Sequence, residues 1–311
     1  MKAKNKRVAA LALATALTFS LSAPFTLPQA RATGNTSVSM NVRTGEDLAT
    51  LVNPIVQKYT VDDSQQTWVM SPSSRLAVLA TQENVENERL AEVVKLVNSE
   101  FVEKEVVSST PFTMVYANEE DVASADVLIK LDTDSSLYDG SESTEAYRID
   151  IGADGVVITA ASENAVMYAL RTIQNYMVAN DGLPYGTIVD YPDMAERRLH
   201  VDCARKYISK DWFIRQIREM SFLKMNAIQI HFSENLGFRI ECETDPSIVS
   251  DEYLTKDEVR EILAEAEKYG VKVIPSFDSP GHVDQILRAH PEYGQISNKG
   301  SHYKSGLDVT N

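Results

Sequence analysis

Three short apolar runs, each ending in a burst of polar residues, constrain the fold of this chain more than any other feature. The first is Arg197-Arg-Leu-His-Val-Asp202-Cys-Ala-Arg205. The second is Lys224-Met-Asn-Ala-Ile-Gln-Ile-His231-Phe-Ser-Glu234-Asn235, and the third is Val273-Ile-Pro-Ser-Phe-Asp278-Ser-Pro-Gly-His282. A helical pattern separates each run from the next. Over 211–224, Phe213, Ile217, Met220 and Leu223 recur at core spacing. Over 255–270, Thr255-Lys-Asp-Glu258 forms a capping box, Val259, Ile262, Leu263 and Ala266 make an apolar face, and Gly270 is the stop. The order is β-α-β-α-β, with strands predicted over 199–203, 227–232 and 271–274. Near-continuous apolar runs fit parallel strands buried on both faces. Polar groups gathered at the C-terminal strand ends are the pattern of the reactive face of a (β/α) barrel.

A closed barrel needs eight strands, and three are visible. From about Pro291 the sequence turns polar, with no terminal element expected, so residues 193–311 read as the first part of an incomplete (β/α)8 TIM barrel that stops mid-domain. Upstream, 35–190 reads as a small α+β accessory domain. It holds helices over 47–58, 88–102 and 165–178, and strands over 76–80, 112–116 and 127–131. An acidic, Ser-rich loop is predicted over 132–145. An Asp154-Gly155 turn between apolar runs predicts a hairpin over 146–160. Residues 186–192 read as the bridge between the domains.

Residues 1–32 have the form of a signal peptide. Lys2, Lys4, Lys6 and Arg7 are followed by a mostly apolar stretch over 8–21 and by Ala30-Arg31-Ala32, a small-x-small cleavage site. The apolar run is shorter than the roughly 20 residues a membrane span needs. The expected product is therefore secreted, with an uncleaved anchor or cell-surface attachment as the alternatives. Cleavage after Ala32 removes five cations and no acids, taking the formal charge from −15 to −20. So acidic a chain is a poor partner for nucleic acid or anionic membrane, both of which need clustered Lys and Arg. Two cysteines, Cys203 and Cys242, are too few for a disulfide framework. A buried free thiol is the expected state of Cys203, with a bridge to Cys242 as the alternative.

The three motifs resemble those of the family 20 glycoside hydrolases, the β-N-acetylhexosaminidases and lacto-N-biosidases. Strand one in that family reads Arg-Gly-x-x-x-Asp-x-x-Arg; here Arg198 replaces the Gly, while Asp202 and Arg205 match. The second motif matches from Lys224-Met-Asn226 through His231 to Gly237-Phe-Arg239, with Glu234 in place of the usual Asp. The third matches through Pro275, Asp278, Gly281 and His282. The resemblance is firm over about 197–290, and the segment before it looks like the family's accessory domain. It implies removal of terminal N-acetylhexosamine from glycans by substrate-assisted retaining hydrolysis, an exception to the two-carboxylate rule. In that chemistry the sugar's 2-acetamido oxygen attacks the anomeric carbon, a Glu protonates the leaving oxygen, and the preceding Asp orients the acetamido group. That pair lies in a His-x-Gly-Gly-Asp-Glu run, which does not occur here. Asp251-Glu252 reads as loop and Asp257-Glu258 as helix cap. The catalytic pair is therefore expected beyond Asn311, and the 311 residues alone are expected to be inactive. Two alternatives stay open: a lacto-N-biosidase, towards which the Ser-Glu-Asn form after His231 leans, and a truncated sugar-binding or inert fragment.

By the same resemblance, Arg205 grips the far edge of the non-reducing sugar, where a planar fork of donors suits adjacent hydroxyls. The alternative is an ion pair with Asp202 or another barrel acid. Glu234 and His282 are implied to form a carboxylate–imidazole relay to the catalytic acid; otherwise Glu234 is a solvated strand-end acid. Asp278 either fixes its Ser-Pro-Gly turn by accepting backbone hydrogen bonds or orients a ligand. His231 is a satisfied core histidine or a pocket wall. Asp202, which alternates with apolar neighbours as His200 does, must be paired if buried. No cofactor is expected. No metal is expected either, because the five His are scattered without His-x-x-x-His spacing.

Overall fold

The computed structural model describes residues 44–71, 73–103, 112–124, 126–180 and 182–310. The signal segment and its cleavage site, 1–32, lie outside the described residues. Among those described, no helix is long and apolar enough to cross a membrane.

The N-terminal half is built on a seven-stranded mixed sheet. Helix α1 (Gly45–Ala49) is closed by a reciprocal capping box between Thr44 and Asp47. The helix expected over 47–58 stops there. Pro54, which lacks an N–H and clashes with the preceding turn, cannot sit in its interior, and the chain re-emerges as strand β1 (Lys58–Val61). There follow β2 (Thr67–Trp68), β3 (Arg75–Leu79), α2 (Gln82–Glu86), α3 (Glu88–Glu103), β4 (Thr113–Ala117) and β5 (Val127–Leu131). Next come β6 (Tyr147–Gly152), β7 (Gly155–Ala160), α4 (Glu163–Asn180), β8 (Leu183–Pro184) and β9 (Gly186–Asp190). The strand order is β1-β9-β6-β7-β5-β3-β4, while β2 pairs with β8 in a small separate ladder. The segment expected to be a mere bridge, 186–192, instead supplies β9, hydrogen-bonded on both sides by β1 and β6. The β6–β7 hairpin stands as expected. Its Gly155 has φ +111°, and a Cβ there would meet the Asp126 carbonyl at 2.8 Å.

Alternation decides which sheet face is covered. Leu76 and Val78 of β3, Val127 and Ile129 of β5, and Ile149 of β6 are buried in one cluster with Val93, Val97 and Phe101 of α3 and Val166, Leu170 and Ile173 of α4. The intervening Ala77 and Leu128 belong to a much smaller cluster with Ala117. The sheet is thus a two-layer α+β unit, with its helices on one face.

The C-terminal half begins with β10 (Arg198–Asp202), α5 (Lys210–Phe222) and β11 (Ala227–Glu234), followed by β12 (Gly237–Phe238), α6 (Lys256–Lys268) and β13 (Lys272–Phe277). Central β11 runs parallel to β10 on one side and β13 on the other. The short β12 folds back antiparallel on the tip of β11. Ile228, Ile230 and Phe232 pack with Phe213 and Ile217 of α5 and Ile262 and Ala266 of α6. The capping box at Thr255 forms as expected, Thr255 Oγ1 accepting from Glu258 N at 3.2 Å and Glu258 Oε2 from Thr255 N at 2.9 Å. Three β/α strands stand side by side among the described residues, and the barrel is not closed.

Two expectations fail here. No residue of β13 is fully buried, because this strand has a neighbour on one side only. The polar stretch after Pro291 does form structure: α7 (Asp284–Ala289) leads into a hairpin of β14 (Gly294–Ile296) with β15 (His302–Leu307). Both cysteines are free, and Cys203 is buried.

Candidate active site

The site is assembled from the turns at the C-terminal ends of β10, β11 and β13. Asp202 closes β10. Its Oδ1 accepts from the backbone N–H groups of Ala204 and Arg205 at 3.1 and 3.0 Å, which fixes the turn that presents Arg205. Its Oδ2 lies 3.2 Å from Arg205 Nε. Arg205 then reaches across to β11, where Nη2 donates to Glu234 Oε1 at 2.7 Å. From the far side, His282 Nδ1 lies 2.6 Å from the same oxygen. The second carboxylate oxygen of Glu234 accepts the N–H of Asn235. Arg205, Glu234 and His282, some 80 residues apart in sequence, therefore meet at one carboxylate oxygen.

Exposure divides their roles. The Glu234 side chain is 3% exposed, while those of Arg205 and His282 are 59% and 55% exposed. The alternative of a solvated strand-end acid is thereby excluded. Burial pushes the Glu234 carboxyl up, but hydrogen bonds from Arg205 and Asn235, with the charges of Arg205 and His282, outweigh it and hold the group below the usual carboxylate range. In return Glu234 raises the Arg205 guanidinium. The carboxylate is a buried anchor, and the guanidinium and imidazole are the groups left open to a ligand.

With His282 Nδ1 2.6 Å from a carboxylate oxygen, the tautomer that fits carries the proton on that nitrogen and leaves Nε2 as the ring's acceptor. The residue has φ +59°, a left-handed conformation that a non-glycine side chain adopts at a cost of order 1 kcal/mol. The flanking backbone is tied to the tip of β11. Asn235 Oδ1 accepts from Asp284 N at 3.3 Å, and Arg288 Nη2 donates to the Asn235 carbonyl at 2.7 Å.

His231 is 7% exposed, its Nδ1 2.9 Å from Ser276 Oγ on β13 and its Nε2 3.6 Å from Asp278. It is a partnered interior histidine, while exposed His200 stacks obliquely on it with ring centroids 5.7 Å apart. Asp278 does not fix its turn in the manner expected. Its carboxylate faces His231, and its own N–H donates to Ser233 Oγ at 3.3 Å. A bulge at Phe232, between the pairs His231–Ser276 and Ser233–Phe277, shifts the register of β11 just before Glu234.

One atom each of Glu234, Asp278 and His282 lie within 4.8 Å of one another, a set able in principle to ligate a cation. The donor chemistry fits a relay better. Glu234 Oε1 already receives a guanidinium at 2.7 Å, and an ion on that oxygen would have to displace it.

Several supporting residues escaped the sequence reading. Ser276, Asn235 and Arg288 are ordinary polar residues whose partners are remote in sequence. Gly237 and Arg239 were legible only as motif letters. A Cβ at Gly237 would sit 2.6 Å from the Ala204 carbonyl, so the backbone of β12 lies directly against the turn that carries Arg205. Arg239 Nη1 donates to the Glu252 carbonyl at 2.8 Å, clasping the following loop.

Parallel β/α strands whose tips gather a guanidinium, a buried carboxylate and an imidazole have the arrangement of the reactive face of a (β/α) barrel. Comparison with known proteins makes this specific. Residues 50–191 match the family model "Glycosyl hydrolase family 20, domain 2", and residues 196–310 match "Glycosyl hydrolase family 20, catalytic domain". The chain is 27% identical over 187 residues to a lacto-N-biosidase of Bifidobacterium bifidum, covering 60% of this chain and 16% of that protein. It is 28% identical over 211 residues to a β-hexosaminidase of Vibrio furnissii, covering 60% and 33%. Among solved structures, the GH20 β-N-acetylhexosaminidase of Streptomyces coelicolor A3(2) superposes with a TM-score of 0.66 at 21% identity, over 84% of this chain and 54% of that one. A mutant Streptomyces plicatus β-hexosaminidase in complex with its product GlcNAc gives 0.63 at 22%, over 84% and 53%. At such identities the structural likeness speaks for the fold. The chain belongs to glycosyl hydrolase family 20: it carries the family's second domain and part of its catalytic domain, and it spans a third or less of these two relatives' length.

Proposed function

We propose that the protein to which this chain belongs is an exported exo-hydrolase that removes terminal N-acetylhexosamine from glycans by substrate-assisted retaining hydrolysis. The observation that carries this reading is the meeting of Arg205, Glu234 and His282 at one carboxylate oxygen, at the strand tips of a family 20 domain. In this reading the exposed face of Arg205 holds the sugar's non-reducing edge. Glu234 orients His282, whose Nε2 positions the catalytic acid and tunes its proton affinity. The sugar's acetamido oxygen is the nucleophile. The Asp-Glu pair of the His-x-Gly-Gly-Asp-Glu run, absent from these 311 residues, must come from outside them. Export rests on the charge and apolar pattern of residues 1–32.

The test is hydrolysis of a chromogenic N-acetylglucosaminide by the purified 311-residue chain and by the chain extended through a downstream His-x-Gly-Gly-Asp-Glu run. Turnover is expected only in the extended protein. Turnover by the 311 residues alone, or none by an extended, folded protein, overturns the proposal. A second reading, release of lacto-N-biose, is favoured by the Ser-Glu-Asn sequence after His231 and by the Bifidobacterium relative. A chromogenic lacto-N-bioside offered to the same extended protein separates the two.

A further inference from the structure

Lys224-Met225-Asn226 opens the second motif, but it lies at the end of β11 opposite Glu234, and the strand-tip pocket does not use it. Its side chains point elsewhere. Lys224 is 7% exposed, and its Nζ crosses to the N-terminal half, 2.8 Å from Asp190 Oδ2 of β9 and 2.7 Å from Tyr147 Oη of β6. Tyr147 Oη in turn donates to Asp190 Oδ2 at 2.5 Å and lies 2.6 Å from Thr172 Oγ1 of α4. All four residues are buried. A charge so placed is tolerable only with partners, and every partner of this ammonium belongs to the seven-stranded half. Lys224 also has φ +56°, and Arg197 Nε donates to its carbonyl at 2.7 Å.

Asn226 performs the same crossing with an amide. Its Nδ2 donates to Glu145 Oε1 at 2.8 Å and to the Ala195 carbonyl at 2.7 Å, and its Oδ1 accepts from Arg197 N at 2.8 Å. Glu145 is also paired with Arg197. The Asn226 carbonyl accepts from Lys272 N at 2.9 Å, which carries the connection on to β13. Met225, between the two polar residues, packs against the core of the C-terminal half.

We propose that Lys224-Met225-Asn226 is a docking motif whose partner is the seven-stranded domain of the same chain, and that this docking makes the two halves one cooperative unit. The motif sits where α5 hands over to β11. From Ala227 to Glu234 the strand spans roughly 25 Å, so the position of the buried carboxylate at its tip is set from an origin clamped to the neighbouring domain. Further contacts cross the same boundary, among them Tyr269 Oη to Glu100 Oε1 at 2.7 Å, Ser221 Oγ to Met167 Sδ at 3.1 Å and Arg89 Nη2 to the Lys268 carbonyl at 3.2 Å. None of these sets a cation of the C-terminal half into the buried interface. Lys224 does, and it is the residue whose removal should uncouple the halves.

The chain's two tryptophans make the test direct: Trp68 lies in the first half and Trp212 in the second. Trp68→Phe and Trp212→Phe each leave one reporter, and urea unfolding is followed by fluorescence in each background. In the parent both reporters should share one midpoint. In Lys224→Met the Trp212 midpoint should fall below that of Trp68, so that the transitions separate. Native-state hydrogen exchange gives the same reading without tryptophan changes, with protection in β10 and β11 lost before protection in β6 and α4. If Lys224→Met does not fold, Asn226→Ala, which keeps the buried ammonium paired, replaces it. Coincident midpoints in the folded variant, or separate ones in the parent, overturn the proposal. None of these readouts depends on sugar binding.

Discussion

Glu234→Gln isolates the charge at the centre of the pocket. Glutamine keeps the length and one acceptor oxygen but cannot be an anion. In the wild type the carboxylate is 3% exposed and receives Arg205, His282 and the Asn235 N–H. Charge-assisted hydrogen bonds contribute about 1.5–3 kcal/mol each when buried. The Arg205 and His282 ends face solvent, so their share is discounted for screening. Glutamine retains part of the hydrogen bonding, which leaves a net loss of about 2 kcal/mol. For a chain of this size that is a Tm drop of about 3 °C at pH 7. The sign of the pH dependence follows from the direction of the shift. The folded carboxyl lies below its ordinary value, so its contribution is complete above the ordinary carboxylate range and is lost as pH falls through the lower folded value. Thermal unfolding followed by circular dichroism, at pH 7 and at stepwise lower pH, should show the gap between variant and wild type narrowing once the pH drops below that range. A variant as stable as wild type at pH 7, or a gap that does not change with pH, would refute the assignment of Glu234 as a paired, ionised anchor.

Arg205→Ala should destabilise by about 1–2 kcal/mol, since it takes a partner from the buried Glu234 carboxylate, and in the folded extended protein it should also lower kcat/KM by about tenfold to a hundredfold through loss of a transition-state contact. Steady-state kinetics check this. Gly237→Ala should destabilise by about 1–3 kcal/mol, since its Cβ would meet a backbone carbonyl at 2.6 Å, and it should also weaken sugar binding by displacing the Arg205 turn; urea titration and a binding isotherm read the two effects. Thr255→Ala removes one half of the α6 capping box and should lower stability by about 1 kcal/mol without touching the pocket, a difference that denaturant midpoints would resolve.

The parts of the fold that were legible in sequence are those that local chemistry encodes. The three C-terminal strands, the Thr255 cap and the Asp154-Gly155 hairpin each follow from a period or a turn residue. β1 and β9 were not legible for the same reason. Lys58-Tyr-Thr-Val61 is four residues long, and its strand character comes from pairing with β9 more than 120 residues later. The residues of β9 looked like a connector because Pro192 follows them closely. At the pocket, residue types and motif spacing singled out Arg205, Glu234 and His282. The burial of Glu234 and the attachment of Asp278 to His231 are three-dimensional facts with no local signal. The Lys224–Asp190 pair was invisible in the same way, since a lysine ending an amphipathic helix ordinarily faces water.

The left-handed backbone at His282 has a consequence for how a ligand would be received. A glycine or asparagine would relax there more readily, so the main chain that carries the imidazole is held against its own local preference. The ring itself is oriented by its Nδ1, tied to the buried Glu234 carboxylate. A ligand that meets this face finds guanidinium, carboxylate and imidazole already joined, and should bind with little lag from structural rearrangement.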